Sequence, residues 1–366
     1  MKINRMQIVD EESATAIQTL MDAADAIDDA ESSVDFIHSS LTLLNLAASG
    51  KGKNGGWARG HIINFVGDGS SGKTLLALEL AAYVYHKMMG NVSKNFPKVK
   101  KIKIVYDNAE GVMDFPIKRM YSENFVNDVN WISSATVQEC GRNVTNEIIA
   151  NKPGEMLLYI IDSLDALTSE EGLDRFVDAA KKGKAEDGAY GTEKAKYLSA
   201  SFFSNICSMM QGKDVTILIV SQVRQKIGIT FGEKYSRTGG KSLDFYTHQV
   251  CWFSEIEKLR GTFRGKEVVY GIRVLAKLKR NKVAKPFRDE EIIILFDHGT
   301  SELHSNISYL WGPKVKLIEF EGEEYKRDEF IDYINKNNLQ NKLVDMVEKK
   351  WKEIEDHFIP TIPSKY

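Results

Sequence analysis

The sequence predicts an α/β protein built on a mostly parallel sheet, with a helical N-terminal arm before it and a small C-terminal domain after it. Three observations carry this. Four short runs are apolar without alternation: Ile62 to Val66, Ile102 to Tyr106, Met156 to Ile161 and Val215 to Val220. Strands covered on both faces read this way, as parallel strands do. Helical stretches separate the runs, the succession that makes an α/β sandwich. Finally, a glycine loop lies between the first run and a helix rich in Leu and Ala, Leu75 to Tyr85.

The bulk properties fit one large domain or two ordinary ones. The chain has 366 residues, and at 43% hydrophobic it can build a sizeable core without staples. Met1 to Met6 is polar and basic and no apolar segment follows, so no secretory leader is expected. No apolar run approaches the roughly 20 residues of a membrane helix. Cys140, Cys207 and Cys251 are odd in number and lack metal spacing. They read as reduced core thiols of a cytosolic protein.

Net charge is -2, which excludes a uniformly basic nucleic-acid binder but not a local basic patch. The charge is segregated. Residues 10–31 are acidic, whereas 258–288 carries Lys258, Arg260, Arg264, Lys266, Arg273, Lys277, Lys279, Arg280, Lys282, Lys285 and Arg288 against a lone Glu267.

Within the arm, 1–35, the residues Ile17, Leu20, Met21, Ala24 and Ile27 have helical spacing. Such a helix either caps its own domain or docks on a neighbouring copy. The core is expected over 36–304. Two long Gly-containing stretches interrupt it, about 169–195 and 223–241, and loops of that length are usually functional. From Ser305 the composition becomes Lys/Glu-rich with anchors at Tyr325, Phe330, Tyr333, Trp351 and Phe358, giving a small domain over 305–366. Its end, Pro360 to Tyr366, reads as a loose tail.

Four motifs carry chemistry. Gly67-Asp68-Gly69-Ser70-Ser71-Gly72-Lys73-Thr74 fits G-x-x-x-x-G-K-[ST], with a strand before and a helix after. Its glycines let backbone N–H groups turn toward phosphate oxygens. Lys73 is then placed for the β- and γ-phosphates and Thr74 for Mg²⁺. Asp162 ends the run Leu157 to Ile161 and fits a carboxylate of the Mg²⁺ shell, although many strands end in Asp. Tyr106-Asp107-Asn108-Ala109-Glu110 leaves another strand end. Glu110 is the candidate for orienting the attacking water, while Asp107 reads as a loop carboxylate or helix cap. Ser221-Gln222-Val223-Arg224 follows the last run. Gln222 there is either a polar strand end or a contact to the γ-phosphate that links nucleotide to loop order.

With these residues in place the chain closely resembles bacterial RecA and its phage-borne relatives, over about 35–320. The P-loop resembles that family's down to Ser-Ser-Gly-Lys-Thr. Asn108-Ala109-Glu110-Gly111-Val112-Met113-Asp114 resembles the segment of its water-activating glutamate, which implies Glu110 for catalysis and Asp114 for the adenine edge. Asp162-Ser163 matches its Walker B end. Gln222 to Gly232, with Thr238-Gly239-Gly240-Lys241 and Phe245-Tyr246, is similar to its second DNA-binding loop. By that resemblance Gln222 is the nucleotide sensor and Ile227 wedges between bases. Arg224, Lys226, Gly228, Thr238, Gly239 and Gly240 hold the DNA backbone. Cations and amides fix phosphates without reading sequence, and an apolar wedge spaces bases. Arg280-Asn281-Lys282 resembles the segment whose two cations reach into the neighbouring subunit's ATP site.

The resemblance implies an ATP- and Mg²⁺-dependent strand-exchange recombinase, cytoplasmic and not bound to a membrane. It would form a homo-oligomeric helical filament on single-stranded DNA and then take homologous double-stranded DNA. Departures exist. The first DNA loop, about 169–193, is longer than in bacterial members. Ile117 replaces a Tyr that packs on the base, Asp244 replaces an interface cation, and the acidic tail of many bacterial members does not follow. Together they suggest a divergent member, with a phage origin one reading. Two other readings use the same P-loop. One is a ring-shaped replicative helicase, against which Gln222 to Tyr246 speaks. The other is a recombination mediator that binds ATP without turnover, against which Glu110 speaks.

Overall fold

The computed structural model describes residues 35–92, 96–111, 113, 115–183, 190–225, 235–236 and 240–359. The chain divides into two units, Met1–Asp35 and Phe36–Tyr366. Apart from Asp35, the expected N-terminal arm lies outside the described residues, as does the tail 360–366.

Among the described residues, the second unit is organised by a nine-stranded sheet. Its strands are β1 (Ile62–Gly67), β2 (Lys101–Asn108), β3 (Asn130–Ile132), β4 (Glu155–Asp162), β5 (Val215–Gln222), β6 (Gln249–Phe263), β7 (Lys266–Asn281), β8 (Asp289–Leu295) and β9 (Gly299–Thr300). The order across the sheet is β9-β8-β7-β6-β1-β5-β4-β2-β3. From β6 to β3 neighbours are parallel, and from β6 to β9 antiparallel. The helices that matter here are α1 (Thr42–Ser49), α2 (Lys73–Tyr83), α3 (Val137–Ala150), α4 (Glu170–Lys181), α5 (Tyr190–Tyr197), α6 (Phe203–Met210), α7 (Gly240–Tyr246), α8 (Glu302–Trp311), α9 (Arg327–Lys336) and α10 (Gln340–His357).

The four apolar runs are the centre of the parallel half, and their lack of alternation has a direct cause. Met156, Leu158 and Ile160 of β4 point into one core with Phe65 and Leu76. Leu157, Tyr159 and Ile161 point into a second core with Val144 and Phe203. Each side chain is therefore buried whichever face it takes, for about 2 kcal/mol apiece. The helix after the glycine loop starts two residues earlier than expected and passes at Val84 into a π-turn, Val84–Met88.

Two expectations are corrected. The stretch 169–195 is not one long loop, because α4 and α5 occupy most of its described part. Ser169 caps α4 by accepting the Gly172 N–H at 3.1 Å, Glu170 and Glu171 lie in its first turn and Lys181 in its last. These are ordinary helix signals that the glycines and lysines disguised. The basic run 258–288 forms most of the β6–β7 hairpin and its exit, and its charge is largely paired in space. Arg273 meets Glu257 at 2.7 Å and Glu291 at 3.2 Å, Lys277 meets Asp289 at 3.3 Å, and Arg288 meets Glu355 at 2.9 Å.

The C-terminal region has its own small core of Ile307, Ile318, Phe320, Phe330, Ile334 and Leu343. It also packs Val347 against Leu43 and Leu46 of α1. The 304/305 boundary falls inside α8. Glu290, on β8, lies near Lys350 of α10. Burial, then the charges of Asp289 and Glu291, push its carboxyl up to about 8, against a pull downward from Lys350. The folded form thus favours the neutral acid. Its stabilising contribution is complete below the unfolded value of 4.5 and is lost as pH rises through about 8. Glu290→Gln is expected to raise the melting temperature above pH 8, by the equivalent of a few kcal/mol. The gain should shrink toward zero near pH 4.5. Melting curves across that range check it.

Candidate active site

The loop 67–72 leaves the carboxyl end of β1 and feeds α2. A side chain at Gly67 would meet Ser71 Oγ at 2.3 Å and the Phe253 carbonyl at 2.5 Å, so only glycine fits. Gly72 has φ +77°, the left-handed region that suits glycine. Asp68 organises the bend: its carbonyl accepts from Ser71 Oγ at 3.0 Å and its carboxylate from the Ser70 N–H at 3.3 Å. Gly69 has open space on its Cβ side.

Lys73 is 6% exposed, and its ammonium donates to the Asp68 carbonyl and to Ser71 Oγ at 3.4 Å. Burial lowers its pKa, opposed by the charges of Asp68, Asp162, Glu110 and Asp165. Phosphate oxygens are natural acceptors for such a buried cation. Asp162 ends β4 and is 2% exposed. One carboxylate oxygen accepts from Tyr106 at 2.6 Å and the other from Thr74 Oγ1 at 3.3 Å. Burial raises its pKa, and the Tyr106 and Thr74 hydrogen bonds oppose that. A hydroxyl beside a carboxylate is a hard-oxygen pair that suits Mg²⁺, which takes one or two protein ligands and completes its shell with phosphate and water. Thr74 and Asp162 therefore fit that ion.

Glu110 follows β2. Its Oε1 accepts from Ser163 Oγ at 2.8 Å and from Gln222 Nε2 at 3.0 Å. The Gln222 backbone N–H donates to Asp165 Oδ2 at 2.7 Å. Lys73, Thr74, Glu110, Asp162 and Gln222 thus gather at one sheet edge, from four strand ends, where ligands bind in such folds. Asp107 is neither a loop carboxylate nor a helix cap. It is fully buried in β2 and accepts from the Ser134 N–H at 2.8 Å, Ser134 Oγ at 2.6 Å and Tyr159 at 3.1 Å. A buried carboxylate needs that many donors, and here they tie the turn after β3 to the sheet.

Beside Glu110 lies an open, mostly apolar cleft of about 750 Å³ that includes Met113, Phe115, Pro116, Ile117 and Trp131. Asp114 lies outside the described residues. So do Lys226, Ile227, Gly228, Thr238 and Gly239. Arg224 enters a two-residue strand paired with Tyr235–Ser236, and Gly240 begins α7.

Arg280 and Lys282 lie elsewhere. β7 runs antiparallel to β6, with Arg280 opposite Val250 and the Lys282 N–H bonded to the His248 carbonyl. β6 starts level with Ile63 and reaches Gly67 only at Phe253. Both cations are therefore at the amino-end edge of β1, away from the loop at its carboxyl end. They are close enough that Lys282, its pKa lowered first by burial, is lowered further by Arg280. Lys282 Nζ donates to the Phe245 carbonyl of α7 at 2.9 Å.

Two residues support the site from behind, Tyr106 by donating to Asp162 and Asp165 by accepting the Gln222 N–H. Tyr106 was hidden in an apolar run, and nothing local marks Asp165.

A mostly parallel sheet, a glycine loop into a helix and a strand-end Asp on the helix's first-turn Thr define a P-loop nucleotide-binding core of the NTPase type. The family model described as "RecA N-terminal domain" matches residues 18–301. Similar proteins bear the name Protein RecA. That of Borrelia duttonii is 27% identical over 79% of this chain and 75% of its own. That of Treponema pallidum is 28% identical over 85% and 70%, and that of Borrelia turicatae 30% over 74% and 66%. The chain belongs to the RecA family, with that family's recombination, repair, ATP-binding and DNA-binding character. These relatives are bacterial and lend no support to a phage origin. Among the described residues no helix is long and apolar enough to cross a membrane.

Proposed function

We propose that this protein is an ATP-dependent DNA strand-exchange recombinase that works in the cytoplasm as a homo-oligomeric filament on single-stranded DNA. The carrying observation is the Glu110–Gln222 hydrogen bond at the P-loop edge. It joins the candidate water-orienting carboxylate to the residue from which the stretch 223–241 departs. Lys73 and the loop amides bind the triphosphate. Thr74 and Asp162 hold Mg²⁺, which when bound neutralises charge on the phosphate oxygens. Ile117 and its cleft, with Asp114, take the base. Glu110 orients water, and Gln222 exchanges its bond to Glu110 for one to the γ-phosphate, ordering the loop.

In that loop Arg224, Lys226, Gly228, Thr238, Gly239 and Gly240 hold DNA phosphates, and Ile227 separates bases. The segment 169–193, with its two helices, is the first DNA-contacting region, and 305–366 is a small accessory domain. Arg280 and Lys282 act on a neighbouring copy's nucleotide. Affinity comes from the phosphate contacts and should fall steeply with salt, while homology is read by base pairing. The test is strand exchange with homologous and non-homologous duplexes, with and without ATP. Product is expected only with homology and ATP. Product without homology, or none under any condition, sinks the recombinase reading. Closed hexamers that unwind duplexes would favour a helicase, and ATP binding without DNA-stimulated turnover a mediator.

A further inference from the structure

Between β4 and α4 the chain makes a compact turn, 163–168, that touches more of the site than its sequence suggests. The ladder between β4 and β5 ends at the pair Ile161–Ile219. Past that point Leu164 N–H reaches the Val220 carbonyl at 3.0 Å, and Ala166 N–H closes on the Ser163 carbonyl at 3.1 Å. The last N–H of β5, that of Gln222, then has no strand carbonyl from β4. The Asp165 carboxylate accepts it instead at 2.7 Å, a charge-assisted bond stronger than the ladder bond it replaces. On the other side Val223 N–H holds the Gly67 carbonyl at 3.0 Å.

The same turn is gripped from behind by α5. Lys194, 9% exposed, donates its ammonium to the Asp165 carbonyl at 3.1 Å and to the Leu167 carbonyl at 2.5 Å. Its neighbour Glu193 forms a two-pronged pair with Arg175 of α4, at 2.6 and 2.7 Å. One turn thus holds Glu110 through Ser163, Gln222 through Asp165, and the α4–α5 pair through Lys194.

We propose that Asp165 and Lys194 are positioning residues that couple the α4–α5 region to Gln222 and Glu110, so that DNA held there sets the site for turnover. This rests on the recombinase reading above. The choice of residue supports it. A third carboxylate beside Asp162 and Glu110, in a site that receives a triphosphate, is electrostatically unfavourable, and such costs are kept where function needs them. Asp165 fixes the main chain of Gln222 as a pivot. The side-chain amide can then leave Glu110 while the strand end stays in place. A displacement of α5 moves the Asp165 and Leu167 carbonyls, and with them that pivot.

The experiment uses the full chain and measures ATP turnover with and without single-stranded DNA, together with KM for ATP and the melting temperature. Asp165→Ala and Lys194→Met should each lower the DNA-stimulated kcat about tenfold, the effect of about 1.4 kcal/mol at the pivot. DNA-free turnover and KM should stay within about twofold of wild type on the same scale. Asp165→Asn, whose amide oxygen still accepts the Gln222 N–H, should recover most of the stimulation. Full stimulation in Asp165→Ala and Lys194→Met overturns the coupling. Equal loss of DNA-free turnover and stimulation also overturns it, since that marks general damage. If Asp165→Ala does not fold, Lys194→Met decides by the same criteria. A wild-type protein that DNA does not stimulate sinks the recombinase reading, and the coupling with it.

Discussion

Glu110→Gln keeps nucleotide affinity and lowers DNA-stimulated ATP turnover by about two to four orders of magnitude, the usual share of a positioned general base. The substitution is nearly isosteric. Its side chain retains an oxygen that can accept from Ser163 Oγ and Gln222 Nε2, the two donors now on Oε1. What it loses is the negative charge that draws a proton from water. Lys73 loses one of the four carboxylates whose charge favours its ammonium form, but Asp68, Asp162 and Asp165 remain. Binding, followed with a fluorescent ATP analogue, should therefore change little. Turnover, followed by phosphate release, should collapse. Turnover within about threefold of wild type, far less than a general base contributes, would remove Glu110 from the chemistry.

The parts of this site that could be read from sequence are those set by local pattern. β1, β4 and β5 are buried almost throughout, and β2 from Ile104 to Asp107, so each reads as a nearly continuous apolar run, interrupted by Asn64, Lys103 and Thr216, whose polar terminus is conspicuous. Asp162, Gln222 and the start of the glycine loop are such termini, and Glu110 comes two residues after one. β6 was harder. It carries irregularities between Val250 and Cys251, Glu255 and Glu257, and Leu259 and Arg260. Each breaks the two-residue period that would mark a strand. The charges of β6 pair with β7, and those of β7 also with β8, partners that only the fold brings near, so the basic run reads as unpaired in sequence. α4 was hidden differently, because Leu173, Phe176 and Val177 have helical spacing but remain exposed and sit among glycine and lysine. Asp165 had no signal at all. Its role comes from the end of the β4–β5 ladder, which places a turn carboxylate where a strand carbonyl would be.

Arg280→Ala and Lys282→Ala should each lower turnover by about three orders of magnitude, the contribution of a cation supplied across a subunit boundary. The melting temperature should stay close to wild type. The sheet's own geometry motivates this. Arg280 is opposite Val250 and Val250 opposite Asn64, whereas the glycine loop starts at Gly67, farther along β1 in the direction away from the two cations. Two like charges packed side by side, with Lys282 already partly desolvated, gain most from an anion that arrives from outside the chain. Mixing separates action in trans from action in cis. Glu110→Gln protein has intact cations, and Arg280→Ala protein has an intact Glu110. In a head-to-tail assembly of equal parts, about one interface in four joins an intact Glu110 to an intact Arg280. The mixture should then recover about a quarter of wild-type turnover from two nearly inactive proteins, as heterologous interfaces require. If the cations act within their own chain, every subunit in the mixture lacks one essential group, and no activity returns at any ratio.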